Sequence, residues 1–277
     1  MGKMLDGKIC IVTGGGRGIG KGAALLFAKE GGKVAISELD ADPANETVAE
    51  IKKMGGQAIA VIGDITAPGA ADKLVQATVD AFGPNIDVIA NVAGYTWDSM
   101  IQKMTDQQWD AMINIHLKAP FHILRAASPY IRDVAKKEKE EGRRVMRKVI
   151  NVSSVAGTDG NAGQVNYSSA KAGLIGLTKT LSKEWGPFNV NVNCIAFGWI
   201  ETRLTAPKEE GQTQFIEREG KKIAIGVPKV GLEAFKSMIP LGRPGTTDEA
   251  ANAILFFASP LSDYVTGQVL KVSGGWC

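Results

Sequence analysis

Tyr167 and Lys171 stand four residues apart in the stretch "NYSSAKAGLIG" (166–176). If that stretch is helical, the two side chains share one face, one turn apart. A free phenol has a pKa near ~10, too high to trade protons readily at neutral pH. A cation about 4–6 Å away stabilises the phenolate and lowers that value. The pair therefore suits general acid–base work. Ser154, thirteen residues before Tyr167, is placed to hydrogen-bond a carbonyl or alcohol oxygen. Taken alone, the Tyr-x3-Lys spacing is common, and a buried tyrosine beside a surface lysine explains it equally well.

Other candidate residues follow short apolar runs. "KICIVT" (8–13) leads into "TGGGRGIG" (13–20), whose Gly14, Gly18 and Gly20 allow a tight turn and a helix N-terminus aimed at a diphosphate. Arg17 and Ile19 belong to the same turn. After the second run (33–37), Glu38 is placed to accept hydrogen bonds from both ribose hydroxyls of an adenosine. It would repel a 2′-phosphate, so NAD(H) is favoured over NADP(H). Arg17 argues the other way, because a guanidinium in that loop pairs readily with a 2′-phosphate. After the third run (58–62), Asp64 and Ile65 in "GDIT" face two readings for the carboxylate: a bond to the adenine amine, or a cap for a helix from Ala67. After the fourth (87–93), "NVAG" with Asn91, Ala93 and Gly94 offers small residues against which a flat ring can lie, or a plain packing turn.

The elements that must position these residues alternate along the chain. Strand-like runs at 148–154, 190–196 and 267–274 complete a set of about seven, with helical patterns between. The runs are continuously apolar, so both faces are covered. A doubly wound parallel α/β sheet with right-handed crossovers follows, in which ligands bind beyond the carboxyl ends of the strands. No linker, repeat or low-complexity tract divides residues 1–277, so a single domain is expected.

Composition narrows the function classes. Hydrophobic residues make up 44%, and the formal net charge is only +3, which gives no nucleic-acid footprint. The longest apolar runs, such as "AILFFA" (253–258), are too short to span a bilayer. Cys10, Cys194 and Cys277 have neither CxxC spacing nor a histidine cluster, so no metal site is expected and the thiols are expected reduced. The first residues show no secretory signal, and Asp6 stands where myristoylation needs Ser or Thr, so a cytoplasmic location is expected.

Together, "TGGGRGIG", "NVAG", Ser154 and "YSSAK" resemble the short-chain dehydrogenase/reductase family, in its short single-domain branch. The resemblance runs from Leu5 to Trp276 and implies a Rossmann-type fold. It implies a tetrad of Asn114, Ser154, Tyr167 and Lys171. Tyr167 is then the acid/base, Ser154 orients the substrate oxygen, and Lys171 tunes Tyr167 and holds the nicotinamide ribose. Asn114 anchors a water that relays protons to Lys171. Gly198, Ile200 and Thr202 in "AFGWIET" fall at positions that touch the nicotinamide carboxamide side, although Phe197 replaces the family's usual proline. The implied reaction interconverts a secondary alcohol and a ketone. Within the family the chain is most similar to reductases of 3-oxoacyl thioesters. A dehydrogenase of a small polyol, cyclic alcohol or steroid is the alternative, and a non-catalytic dinucleotide-binding partner subunit is the alternative of another class. A homotetramer is implied as well.

Two stretches remain. Residues 203–238, mixed in charge and broken by Gly and Pro, fall where the family carries a lid over the substrate. Residues 132–148 carry eight basic and four acidic side chains and read as a helix extension. That run is either a solvated helix end or a landing patch for an acidic partner, such as an acyl carrier protein or coenzyme A phosphates, with Arg143, Arg144 and Arg147 at its centre.

Overall fold

The apolar runs pair into one seven-stranded parallel sheet. The computed structural model describes residues 3–208, 215–218, 220–228 and 236–276. Strands β1 (Ile9–Thr13), β2 (Lys33–Glu38), β3 (Gln57–Ile62), β4 (Ile86–Asn91), β5 (Arg147–Ser154) and β6 (Val190–Phe197) come first in the chain. Residues 203–238 hold four short strands: β7 (Pro207–Lys208), β8 (Phe215–Arg218), β9 (Lys221–Ala224) and β10 (Val227–Pro228). Strand β11 (Val269–Val272) closes the main sheet, whose order in space is β3-β2-β1-β4-β5-β6-β11. The order reverses between β1 and β4, and a crevice opens there at the carboxyl ends.

Helices cover both faces, which is why the strands read as unbroken apolar runs. Along β1, Cys10 and Val12 enter one core with Phe27, Ile51 and Ile254. Ile11, between them, enters the other with Leu74, Ile123 and Trp185. The first core lies under α1 (Gly18–Lys29) and α2 (Ala41–Lys53); the second lies under α3 (Ala70–Phe82) and the helical run that follows β4. That run comprises α4 (Asp106–Ile113), a wide π-type turn (Asn114–Lys118), α5 (Ala119–Ser128), a second such turn (Pro129–Asp133) and α6 (Val134–Glu140). Two helices follow β5, namely α7 (Val155–Asp159) and α8 (Val165–Trp185), and α9 (Thr247–Ala258) precedes β11.

Three expectations change. The helix expected from Ala67 starts at Ala70, because Asp64 closes a turn onto Thr66 and Gly69 sits at φ 77° before the first helical residue. The charged stretch 132–148 is not one helix: α6 ends at Glu140 and the chain is already in β5 at Arg147. Arg147 is buried and forks onto Glu138 through Nη1 and Nη2 at 2.7 and 3.0 Å. Lys148 is buried as well and reaches Asp263 at 2.7 Å. A landing patch centred on Arg147 is therefore excluded. Its remaining members, Arg143 and Arg144, lie at the amino end of β5, and at ~3.3 Å per residue a strand of eight residues sets them a full strand length from Ser154. Finally, Phe197 is a buried strand residue in register with Ser154 and Val272, so β6 runs one residue beyond its expected end.

Candidate active site

The crevice at the switch point is a cleft of about 590 Å³. On one side stands the glycine turn. A methyl on Gly20 would lie 2.0 Å from the Gly14 carbonyl oxygen, and one on Gly14 2.9 Å from Ala93 Cα, so only glycine lets the backbone close this tightly. Helix α1 begins there with Arg17 at its N-cap, no side-chain cap and no acidic residue in its first turn. Its first N–H groups are thus left for a ligand, unlike those of α4 and α9, which Thr105 with Gln108 and Thr246 with Glu249 cap. These features fit a dinucleotide.

Glu38 ends β2 beside this turn. Its two carboxylate oxygens accept one backbone N–H each, from Gly16 at 3.1 Å and Leu39 at 2.9 Å. A carboxylate offers about four acceptor sites, so two hydroxyls can still be received. Arg17 is turned to Asp40, with Nη1 at 2.5 Å. Asp64 and Ile65 line the cleft, and Asp64 Oδ1 accepts from the N–H and hydroxyl of Thr66. Thr13 Oγ1 accepts from the N–H of both Val92 and Ala93, which pins the turn after β4 against β1. Ala93 and Gly94 then line the cleft. Asn91 does not: its amide donates to Asn151 Oδ1 at 2.8 Å inside the sheet. Across the cleft, Gly18 approaches the Thr202 side chain, and Gly198 and Ile200 complete that wall.

The polar centre lies at the ends of β5 and α8. Ser154 caps α7 by accepting the Ala156 N–H at 3.1 Å, and its side chain also hydrogen-bonds Tyr167. Lys171 Nζ lies 5.6 Å from the centre of the Tyr167 ring and donates to the Val152 carbonyl at 2.6 Å. The spacing expected from sequence is present, but its electrostatic consequence is different. Burial pushes the phenol up to about 12, against the lowering effect of the Ser154 bond, and Asp98 adds to the rise. Burial also lowers Lys171 to about 8. Burial, which outweighs the Ser154 bond, therefore sets the Tyr167 phenol above its ordinary value rather than below it.

Asn114 opens the wide turn after α4, half-buried; it is Ile115 and His116, next in the chain, that line the cleft. His116 packs edge-on against Tyr167, with ring centres 4.9 Å apart. Asn166 is buried and donates to the carbonyls of Trp97 and Gln108, fixing the first turn of α8 just before Tyr167. Sequence reading missed both residues. The only trace of them was their position beside Asn114 and Tyr167.

Tyr95, Asp98, Gln164, Ile216 and Glu217 also line the cleft. Within the segment expected as a lid, Ile216, Ile223 and Ile225 bury one another against Tyr95, Trp97 and Leu204. Residues 209–214, 219 and 229–235 of that segment lie outside the described residues. No group of three potential metal ligands occurs among the described residues. No described helix is long and apolar enough to cross a membrane. Cys10 and Cys194 are buried free thiols; Cys277 lies outside the described residues.

The short chain dehydrogenase family matches residues 8–213. A 3-oxoacyl-(acyl-carrier-protein) reductase, FabG, of Thermotoga maritima is 37% identical over 271 residues, covering 98% of each chain. FabG of Chlamydia muridarum is 36% identical over 276 residues, covering 99% of each. BbsD of Thauera aromatica, a subunit of a hydroxy(phenyl)methylsuccinyl-CoA dehydrogenase, is 35% identical, covering 98% of this chain and 97% of its own. The chain belongs to the short-chain dehydrogenases: it is an oxidoreductase acting on CH–OH groups, and its cofactor is a nicotinamide dinucleotide.

Proposed function

We propose that this short-chain dehydrogenase reduces the keto group of 3-oxoacyl thioesters to a secondary alcohol, with Tyr167 as the proton donor and NADH as the preferred cofactor. The observation that carries the reading is the convergence of Ser154, Tyr167 and Lys171 on the cleft beyond β5, with Lys171 Nζ 5.6 Å from the Tyr167 ring and held by the Val152 carbonyl. A phenol so placed can give its proton to a carbonyl oxygen. Full-length similarity to FabG supports the substrate class.

The bound dinucleotide supplies the hydride. Ser154 accepts the Ala156 N–H on one of its two lone pairs, and its single O–H, bonded to Tyr167 before substrate binds, turns to the carbonyl oxygen of the substrate. Tyr167 gives its proton to that oxygen as the carbon is reduced, and Ser154 then stabilises the phenolate left behind. Lys171, fixed by the Val152 carbonyl, keeps further N–H groups for the nicotinamide ribose and offsets the phenolate charge. Asn114 would anchor a water that passes protons on to Lys171. Gly14, Gly18, Ile19 and Gly20 would hold the diphosphate, Glu38 the adenosine ribose, Asp64 and Ile65 the adenine. Ala93, Gly94, Gly198, Ile200 and Thr202 would bound the nicotinamide half.

NADH is preferred because Glu38 presents negative charge where NADP carries a phosphate, and Arg17, the group best suited to that phosphate, is paired with Asp40. The likeness to BbsD favours a second reading, oxidation of a 3-hydroxyacyl-CoA by the same residues in reverse. A steady-state panel decides among these: NADH against NADPH, with acetoacetyl-CoA, an acetoacetyl carrier protein, a cyclic ketone and a sugar. The expected result is turnover of the thioesters with at least about tenfold higher kcat/KM for NADH. A preference for NADPH would overturn the Glu38 argument, and turnover confined to the cyclic ketone or sugar would overturn the thioester reading.

A further inference from the structure

We infer that His116 is a positioning residue of the cleft, its ring seating the Tyr167 phenol and its Nε2–H holding the backbone of Tyr95. The inference rests on Tyr167 being the acid, and the experiment below separates the two. His116 lies in the wide turn Asn114–Lys118, a kind of distortion often found at functional sites. It is 2% exposed. Nε2 is 2.7 Å from the Tyr95 carbonyl oxygen, which can only accept, so Nε2 carries the hydrogen and Nδ1 is bare. Burial, reinforced by the charge of Lys171, holds the imidazole well below its usual range and so neutral.

Three contacts converge on the ring. It stands at 89° to Tyr167. It fills the space beside Gly94, where an added methyl would meet Cε1 at 2.2 Å. Its hydrogen bond fixes the backbone of Tyr95, whose residue lines the cleft and packs on the Ile216 cluster. Nδ1 is buried with no donor among the described residues. A phenylalanine or leucine would fill the same space without burying an unpaired acceptor, so packing alone is a poor reason for histidine here. The donor to Tyr95 is what an apolar side chain cannot supply.

Two substitutions divide the two contacts. His116→Phe keeps an edge-on ring and removes the donor; KM for acetoacetyl-CoA should rise about tenfold with kcat within threefold. His116→Gln keeps an amide donor and removes the ring; kcat should fall about tenfold with KM within threefold. Neither should move the pH profile, because a neutral imidazole adds no charge to Tyr167. Gly94→Ala pushes on the same ring without altering position 116; because Gly94 also bounds the nicotinamide half, the expected result is a lowered kcat with the dinucleotide Kd unchanged, and a weakened Kd that accounts for the loss would count against the inference if a His116 variant fails to fold. Wild-type kinetics in both folded His116 variants would overturn the inference. So would a shifted or missing pH limb, which would make His116 an acid–base group in its own right. Tyr167→Phe is assayed in parallel: full turnover there defeats the acid assignment itself, whereas lost turnover there with silent His116 variants defeats only the positioning role.

Discussion

The two ends of the central strands handle charge in opposite ways. At the amino ends the buried side chains of Asp87, Arg147 and Lys148 each meet a counter-charge. Lys8 meets Asp87 at 2.9 Å, Arg147 meets Glu138, and Lys148 meets Asp263. At the carboxyl ends Arg17 pairs with Asp40, but Lys171, Glu38 and the first turn of α1 are held by neutral partners and keep bonding capacity in reserve. Among the described residues Lys171 donates to the Val152 carbonyl alone, Glu38 accepts two backbone N–H groups, and the first turn of α1 has no side-chain cap. The two buried lysines make the contrast plain. Burial lowers both, but Asp263 works against the fall at Lys148, whereas at Lys171 the opposing influence among the described residues is the Cys194 thiol, and the lysine drops to about 8. Apart from the Arg17–Asp40 pair, the cleft holds its charged groups without counter-charge, and the scaffold neutralises its own.

Substitutions at each end should therefore fail in different ways. The largest effect is expected at the carboxyl end. Tyr167→Phe should lower kcat by ~10²–10⁴-fold while leaving dinucleotide binding, read by fluorescence titration, nearly unchanged. Stability should barely move, since only a hydroxyl is lost. At the amino end, Glu138→Ala leaves Arg147 buried and uncompensated, and should cost roughly 3–5 kcal/mol in equilibrium denaturation. Its kcat per folded molecule should stay at the wild-type level. Burial raises the Glu138 carboxyl, but the Arg147 bonds outweigh this and leave it below the ordinary range. The wild-type pair therefore contributes fully above the ordinary carboxylate range and is lost as pH falls through the lower native value. A Glu138→Ala protein as stable as wild type, or one with reduced kcat per folded molecule, would erase the distinction between the ends.

Much of the scaffold was legible because its signals are local. Short β-branched runs ended by glycines marked β1 and its turn, and the residues placed after strands fell at the carboxyl ends where the topology requires. Asn91 broke that pattern because the last residue of a strand can point its side chain along the sheet, here to Asn151. Arg147 was misplaced because counting charges cannot show where a helix ends, and a strand that starts one residue early takes its arginine inside. His116 was invisible because a lone histidine on a helical pattern gives no sign of the wide turn that carries it into the cleft. The small strands of 203–238 pair through contacts no periodicity of that mixed segment announces. The Tyr167–Lys171 spacing was read correctly as geometry and incompletely as electrostatics, since desolvation depends on the whole fold.

That last difference sets the most direct test. Tyrosinate absorbance is titrated in wild type and in Tyr167→Phe, both ligand-free, and the difference curve isolates one phenol. The account predicts that Tyr167 stays protonated through pH 10 and ionises only toward about 12. Ionisation at or below the usual phenol value of ~10 would contradict it, and would show that the ammonium, not burial, controls the hydroxyl.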